Sequence, residues 1–163
     1  MKAKDITLGG IMVALSVITL YLTTIIPINT FAILTVASCF IPICIIRSNI
    51  KTAFFVYIAS TIISFFILPI NYTIMYGMFF GIYGIAKYFI EKLNKMPIEI
   101  VLKLIFFNII LIIGLMFMST ILGDLKINLP TWALFLGGQI VFLIYDYAIT
   151  IAISLYLQKF KRF

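Results

Sequence analysis

Histidine is absent from the chain, and charge is scarce: Lys, Arg, Asp and Glu together make up 10% of the residues. Without imidazole, histidine-based acid–base catalysis is excluded, and neither a transition-metal nor a haem site is expected. The two cysteines, Cys39 and Cys44, lie five apart on one expected helix and point in different directions, so they read as apolar filler. No Gly-x-x-x-x-Gly-Lys-Ser/Thr phosphate loop occurs, so any nucleotide energy has to come from elsewhere. A soluble domain carries roughly 25% charged and about 45–50% apolar residues. With 64% hydrophobic residues and a mean hydropathy of +1.25, this chain cannot cover a surface with charge. Its solvent is membrane lipid.

What the chain does have is long apolar runs. Six are recognisable, near residues 5–26, 31–46, 52–68, 72–90, 99–121 and 131–157. Turn chemistry separates them: Pro27-Ile28-Asn29-Thr30, Arg47-Ser48-Asn49-Ile50-Lys51, Pro69-Ile70-Asn71, Lys92 to Pro97, and Gly123 to Pro130. The runs lack the period-2 alternation of a membrane barrel. The expected fold is therefore an all-α integral membrane protein, a six-transmembrane-helix bundle forming a single domain over residues 1–163. The basic start, Lys2 and Lys4, leads into an apolar run of about 20 residues, long enough to be a retained first span and not a cleaved signal.

The positive charges order these spans. With six crossings, both termini share one side with the second and fourth connections. That side collects eleven of the twelve basic residues, and only Lys126 falls opposite. Treating the short, Pro42-containing segment 31–46 as non-spanning degrades the division to nine against three. The positive-inside rule then places both termini in the cytoplasm, N-in/C-in. The net charge of +7 is thus a topological signal, and no nucleic-acid partner is expected.

Three groups of residues stand out. Gly10 and Ala14, four apart on the first segment, form a small-residue stripe suited either to internal helix packing or to docking on an outside helix. Gly77, Gly81 and Gly84 on the fourth segment, and Gly137 and Gly138 on the sixth, have the same character. Asn29, Asn71, Tyr76, Trp132 and Gln139 all fall near the outer helix ends. They are candidate substrate-binding residues for a small amphipathic ligand, the alternative being interfacial anchoring and turn formation.

Asp146 is the third feature, an acid in the apolar run Ile144-Tyr145-Asp146-Tyr147-Ala148-Ile149. It lies about 15 residues below the outer end of its helix, ~22 Å at 1.5 Å per residue. A carboxylate at that depth must pair, be protonated, or serve a proton, cation or partner. Lys87 and Lys103 enter the membrane to a similar depth, and a structural ion pair with one of them is expected. Aspartyl intramembrane proteolysis needs two acids at one site. The other candidate, Asp124, lies at the opposite end of that ~22 Å, so no catalytic residue, and no enzyme, is expected.

The segment Lys4-Asp5-Ile6-Thr7-Leu8-Gly9-Gly10-Ile11-Met12-Val13-Ala14-Leu15, set in a six-helix bundle with both ends cytoplasmic, resembles the substrate-binding S component of energy-coupling factor (ECF) vitamin transporters. Gly10 stands where that family's stripe has its first alanine, and the family's first outer loop is here reduced to Pro27-Ile28-Asn29-Thr30. The resemblance implies a subunit of a bacterial cytoplasmic membrane that binds a vitamin-like small molecule. It also implies docking on a T component through Gly10 and Ala14, with uptake powered by partner ATPase subunits. No cofactor is implied. The alternative is a ligand-free membrane scaffold or assembly subunit of a cell-envelope complex.

Overall fold

The computed structural model describes residues 3–116 and 131–160, leaving aside the side chains of 27, 115, 116, 131–134 and 160. Every regular element among them is helical. α1 (Ala3–Ile25) leads through a 3-10 turn (Pro27–Asn29) into α2 (Thr30–Arg47), then α3 (Ile50–Ile67). α4 (Ile70–Met75), a π-helical stretch (Tyr76–Gly81) and α5 (Ile82–Glu91) run on as one rod, followed by α6 (Met96–Met116) and α7 (Thr131–Phe160). Among the described residues, six stretches are long and apolar enough to cross a membrane: Ala3–Ile25, Thr30–Arg47, Ile50–Ile67, Ile70–Glu91, Met96–Gly114 and Phe135–Lys159. They define a multi-pass membrane protein.

Local chemistry sets the turns. Asn49 caps α3, its side-chain oxygen accepting from the Thr52 amide at 2.9 Å. The neighbouring Ser48 hydroxyl donates to Asp5 at 2.7 Å, pinning the start of α1 to this turn. Pro69 precedes α4 in extended backbone. Asn94, at φ 51°, takes the left-handed conformation between α5 and α6 that asparagine tolerates.

The bundle buries hydroxyls beside an apolar core and leaves many large apolar side chains facing outward. Ser16, Thr23, Ser38, Thr52, Ser60 and Ser64 are buried together with Leu20, Leu34, Ile41 and Phe142, while Ile18, Phe65, Phe66, Ile112, Ile140 and Ile144 are exposed. In lipid such exposure is sound, because helices associate by close packing and hydrogen bonding and gain nothing from hiding apolar surface. The most extensive seams lie where α1 meets α2 and α3. Pro42, which cast doubt on segment 31–46, sits within a continuous α2 and packs on α5. A Cβ on Gly84 would lie 2.8 Å from the Pro42 ring, so only glycine lets these helices approach. Gly77 against Thr61 and Gly81 against Tyr57 do the same toward α3.

The π-helical stretch is supported from two sides. Tyr57 of α3 donates its hydroxyl to the Gly77 carbonyl at 2.8 Å, and Tyr145 of α7 reaches the Phe80 carbonyl at 3.4 Å. Irregular backbone at membrane depth is tolerated where such partners supply hydrogen bonds.

Candidate functional site

Three helices carry residues spaced to share a face. The fourth span presents Phe79, Tyr83, Lys87 and Glu91; α6 presents Lys103 and Phe107; α7 presents Gly138, Phe142, Asp146 and Thr150. Each face is charged or polar at one end and apolar at the other. Brought together, they make a charge cluster and an aromatic cavity, back to back.

The cluster centres on Asp146. One of its oxygens accepts the Tyr83 hydroxyl at 2.6 Å and contacts the Lys87 ammonium; the other accepts from Lys103 at 3.0 Å. Lys87 also donates to the Thr150 hydroxyl at 2.8 Å and pairs with Glu91 at 2.8 Å. Lys103 pairs with the same Glu91 oxygen at 2.8 Å. Two ammoniums thus face two carboxylates with no net charge. The Lys87 side chain is only 2% exposed and that of Glu91 38%, so the cluster runs from the bundle interior to its edge. Closing such a network internally is how a membrane protein carries charge at depth. Each of its two acids pairs with both lysines. It is a clamp across α5, α6 and α7. Asp146 meets both Lys87 and Lys103, where one partner was expected. Tyr83, Glu91 and Thr150 were overlooked, although each stands four residues from a member already singled out.

The cavity measures about 410 Å³ and lies among α2, the fourth span, α6 and α7. Its wall includes the rings of Phe31, Phe79, Phe80, Phe107, Phe142 and Tyr145. Phe107 and Phe142 stack at 4.6 Å between centroids, Phe79 meets Phe80 edge-on at 5.1 Å, and Phe80 meets Tyr145 edge-on at 5.1 Å. Ile74, Met75, Met78, Ile110 and Val141 complete the apolar surface. The polar members are spoken for: Thr35 donates to the Phe31 carbonyl at 2.8 Å, and Tyr145 donates to Ser38 at 3.1 Å.

The sequence-derived binding candidates are not gathered here. Asn29 is exposed on the 3-10 turn and Asn71 is partly buried in the first turn of α4. Tyr76 is sealed against α3, its hydroxyl 3.0 Å from Ser60. Gln139 donates to Asn108 of α6 at 2.7 Å, and its side-chain carbonyl has no partner among the described residues. None of these four lines the cavity; the side chain of Trp132, like the whole of Asp124 and Lys126, lies outside the described residues. On α1, Gly9 faces inward, where a Cβ would come within 3.1 Å of Thr52, whereas Gly10 and Ala14 are exposed. Comparison with family models, curated proteins and solved structures gives no match for this chain.

Proposed function

We propose that the chain is the membrane-embedded substrate-binding subunit of an ECF-type nutrient transporter, an S component with both termini in the cytoplasm of a bacterial cell. The observation that carries this reading is the direction of the small residues on α1. The glycines of the fourth span are used up in internal seams, but Gly10 and Ala14 point outward, and a Cβ on Gly10 would meet nothing within 4 Å. A small-residue face left open toward lipid suits close approach by a helix of another protein. In this reading that protein is the T component, energised by ATPase subunits. The basic residues concentrated on one side support the orientation, and the half-open cavity is of a size that small-molecule sites have.

The test is Gly10→Leu combined with Ala14→Leu. Loss of co-purification with the T component and ATPase subunits, with unchanged melting, supports the reading; intact co-purification sinks it. One observation favours the scaffold alternative: only Leu68 and Pro69 join α3 to α4, so no lid arises there. Ligand-dependent stabilisation decides between the two, because a ligand that binds only the folded state must raise its stability.

A further inference from the structure

The geometry points to a neutral, flat aromatic molecule of one or two rings as the occupant of the cavity among α2, the fourth span, α6 and α7; this rests on the binding-subunit reading. Three features of the wall select that class. The first is charge. Among the described residues no ionised side chain lines the cavity, and the ionic groups beyond Tyr83 are paired with one another. A carboxylate or ammonium on a ligand would lose its hydration with no partner in return.

The second is hydrogen bonding. The hydroxyls of Thr35 and Tyr145 already donate within the protein, so the described wall has no spare proton to offer a polar ligand. The same poverty keeps water out, since a water molecule needs two to four polar partners. The third is shape. The rings stand at varied angles to one another, Phe79 to Phe80 at 82° and Phe80 to Tyr145 at 79°, with Phe107 and Phe142 nearly parallel at 13°. They present both edges and faces to the space between them. An aromatic guest can use both through its quadrupole, whereas an acyl chain gains only dispersion.

The site offers its own control. Gly114 lines the cavity, and a Cβ there would meet nothing within 4 Å, so Gly114→Phe should fill the space with a ring of the protein's own. Met78→Trp fills it from another wall and serves if Gly114→Phe fails to fold. Thermal melts in lipid nanodiscs with indole, naphthalene and indole-3-acetate provide the test. We expect a saturable rise in melting temperature with indole and naphthalene, none with indole-3-acetate, and loss of the rise in the filled variant. Partition into lipid would affect both proteins equally, so an equal shift in wild type and filled variant overturns the proposal. So does a shift with indole-3-acetate alone. Stoichiometric phospholipid in the wild type that is missing from the filled variant also overturns it, by making an acyl chain the occupant. A chain that binds indole saturably but assembles with no T component keeps this ligand class and loses the transport reading. One that assembles but binds none of the neutral rings does the reverse.

Discussion

The charge cluster and the aromatic cavity share three helices, the cavity adding Phe31 and Thr35 of α2, yet they obey opposite rules. In the cluster every charged group is answered within the protein: Asp146 by Tyr83, Lys87 and Lys103, and Glu91 by both lysines. In the cavity about 410 Å³ stands open beside six aromatic rings. The difference follows from the solvent. Lipid offers a buried charge nothing, so the network must close on itself or not exist. Lipid is as apolar as phenylalanine, so there is no hydrophobic drive to collapse an apolar space. The polar end therefore holds the helices in register, and the apolar end is free to take a guest. Tyr83 belongs to both, its hydroxyl on Asp146 and its ring stacked on Phe79 at 5.9 Å.

The largest expected effect comes from breaking the closed end. Asp146→Ala leaves two buried lysines sharing one acid and should cost about 3–5 kcal/mol in unfolding free energy, read by denaturant titration in micelles. Next is the same small change made at two glycines. Gly84→Ala drives a Cβ onto the rigid Pro42 ring and should cost about 1–3 kcal/mol. Gly114→Ala enters open space and should be neutral or stabilising by up to about 1 kcal/mol through helix propensity. Equal effects at the two sites would erase the contrast between packed seam and cavity. Smaller again is Tyr83→Phe, which removes the hydroxyl from Asp146 but keeps the ring on the cavity side. A loss of about 1–2 kcal/mol is expected, with indole-dependent stabilisation retained. Smallest is Gly10→Leu with Ala14→Leu on the open face of α1, where stability should move by less than about 0.5 kcal/mol.

Much of this could be read from the residues themselves. Hydropathy locates the spans well: segment 31–46 is α2 at Thr30–Arg47, and segment 72–90 lies within Ile70–Glu91. The sixth, 131–157, matches α7 at Thr131–Phe160, while 99–121 runs past the described end of α6 at Met116. Helical rise alone sets Asp146, Lys87 and Lys103 at one depth, because charge is rare enough here for each group to need a partner. Rotation about the helix axis is another matter. In water, the polar face of a helix reveals which side is buried. In lipid both sides are apolar, and nothing in Phe79, Phe107 or Phe142 says which ring looks inward. Gln139 and Tyr76 mislead for a related reason. A polar side chain at the right depth can be satisfied by a neighbouring helix, as Asn108 and Ser60 do here, and need not face a pocket. The π-helical stretch has no signal in composition. It depends on the Tyr57 and Tyr145 hydroxyls arriving from two other helices.

The central claim, that a self-closed ionic clamp sets the bundle beside an open aromatic cavity, is tested most directly by a double-mutant cycle between Asp146→Asn and Lys87→Met. Removing both partners leaves Lys103 and Glu91 as one neutral pair at 2.8 Å. The account predicts that the double variant is more stable than Asp146→Asn alone, with a coupling free energy of at least about 1 kcal/mol. Strictly additive losses, or an Asp146→Asn protein that unfolds like the wild type, would contradict it.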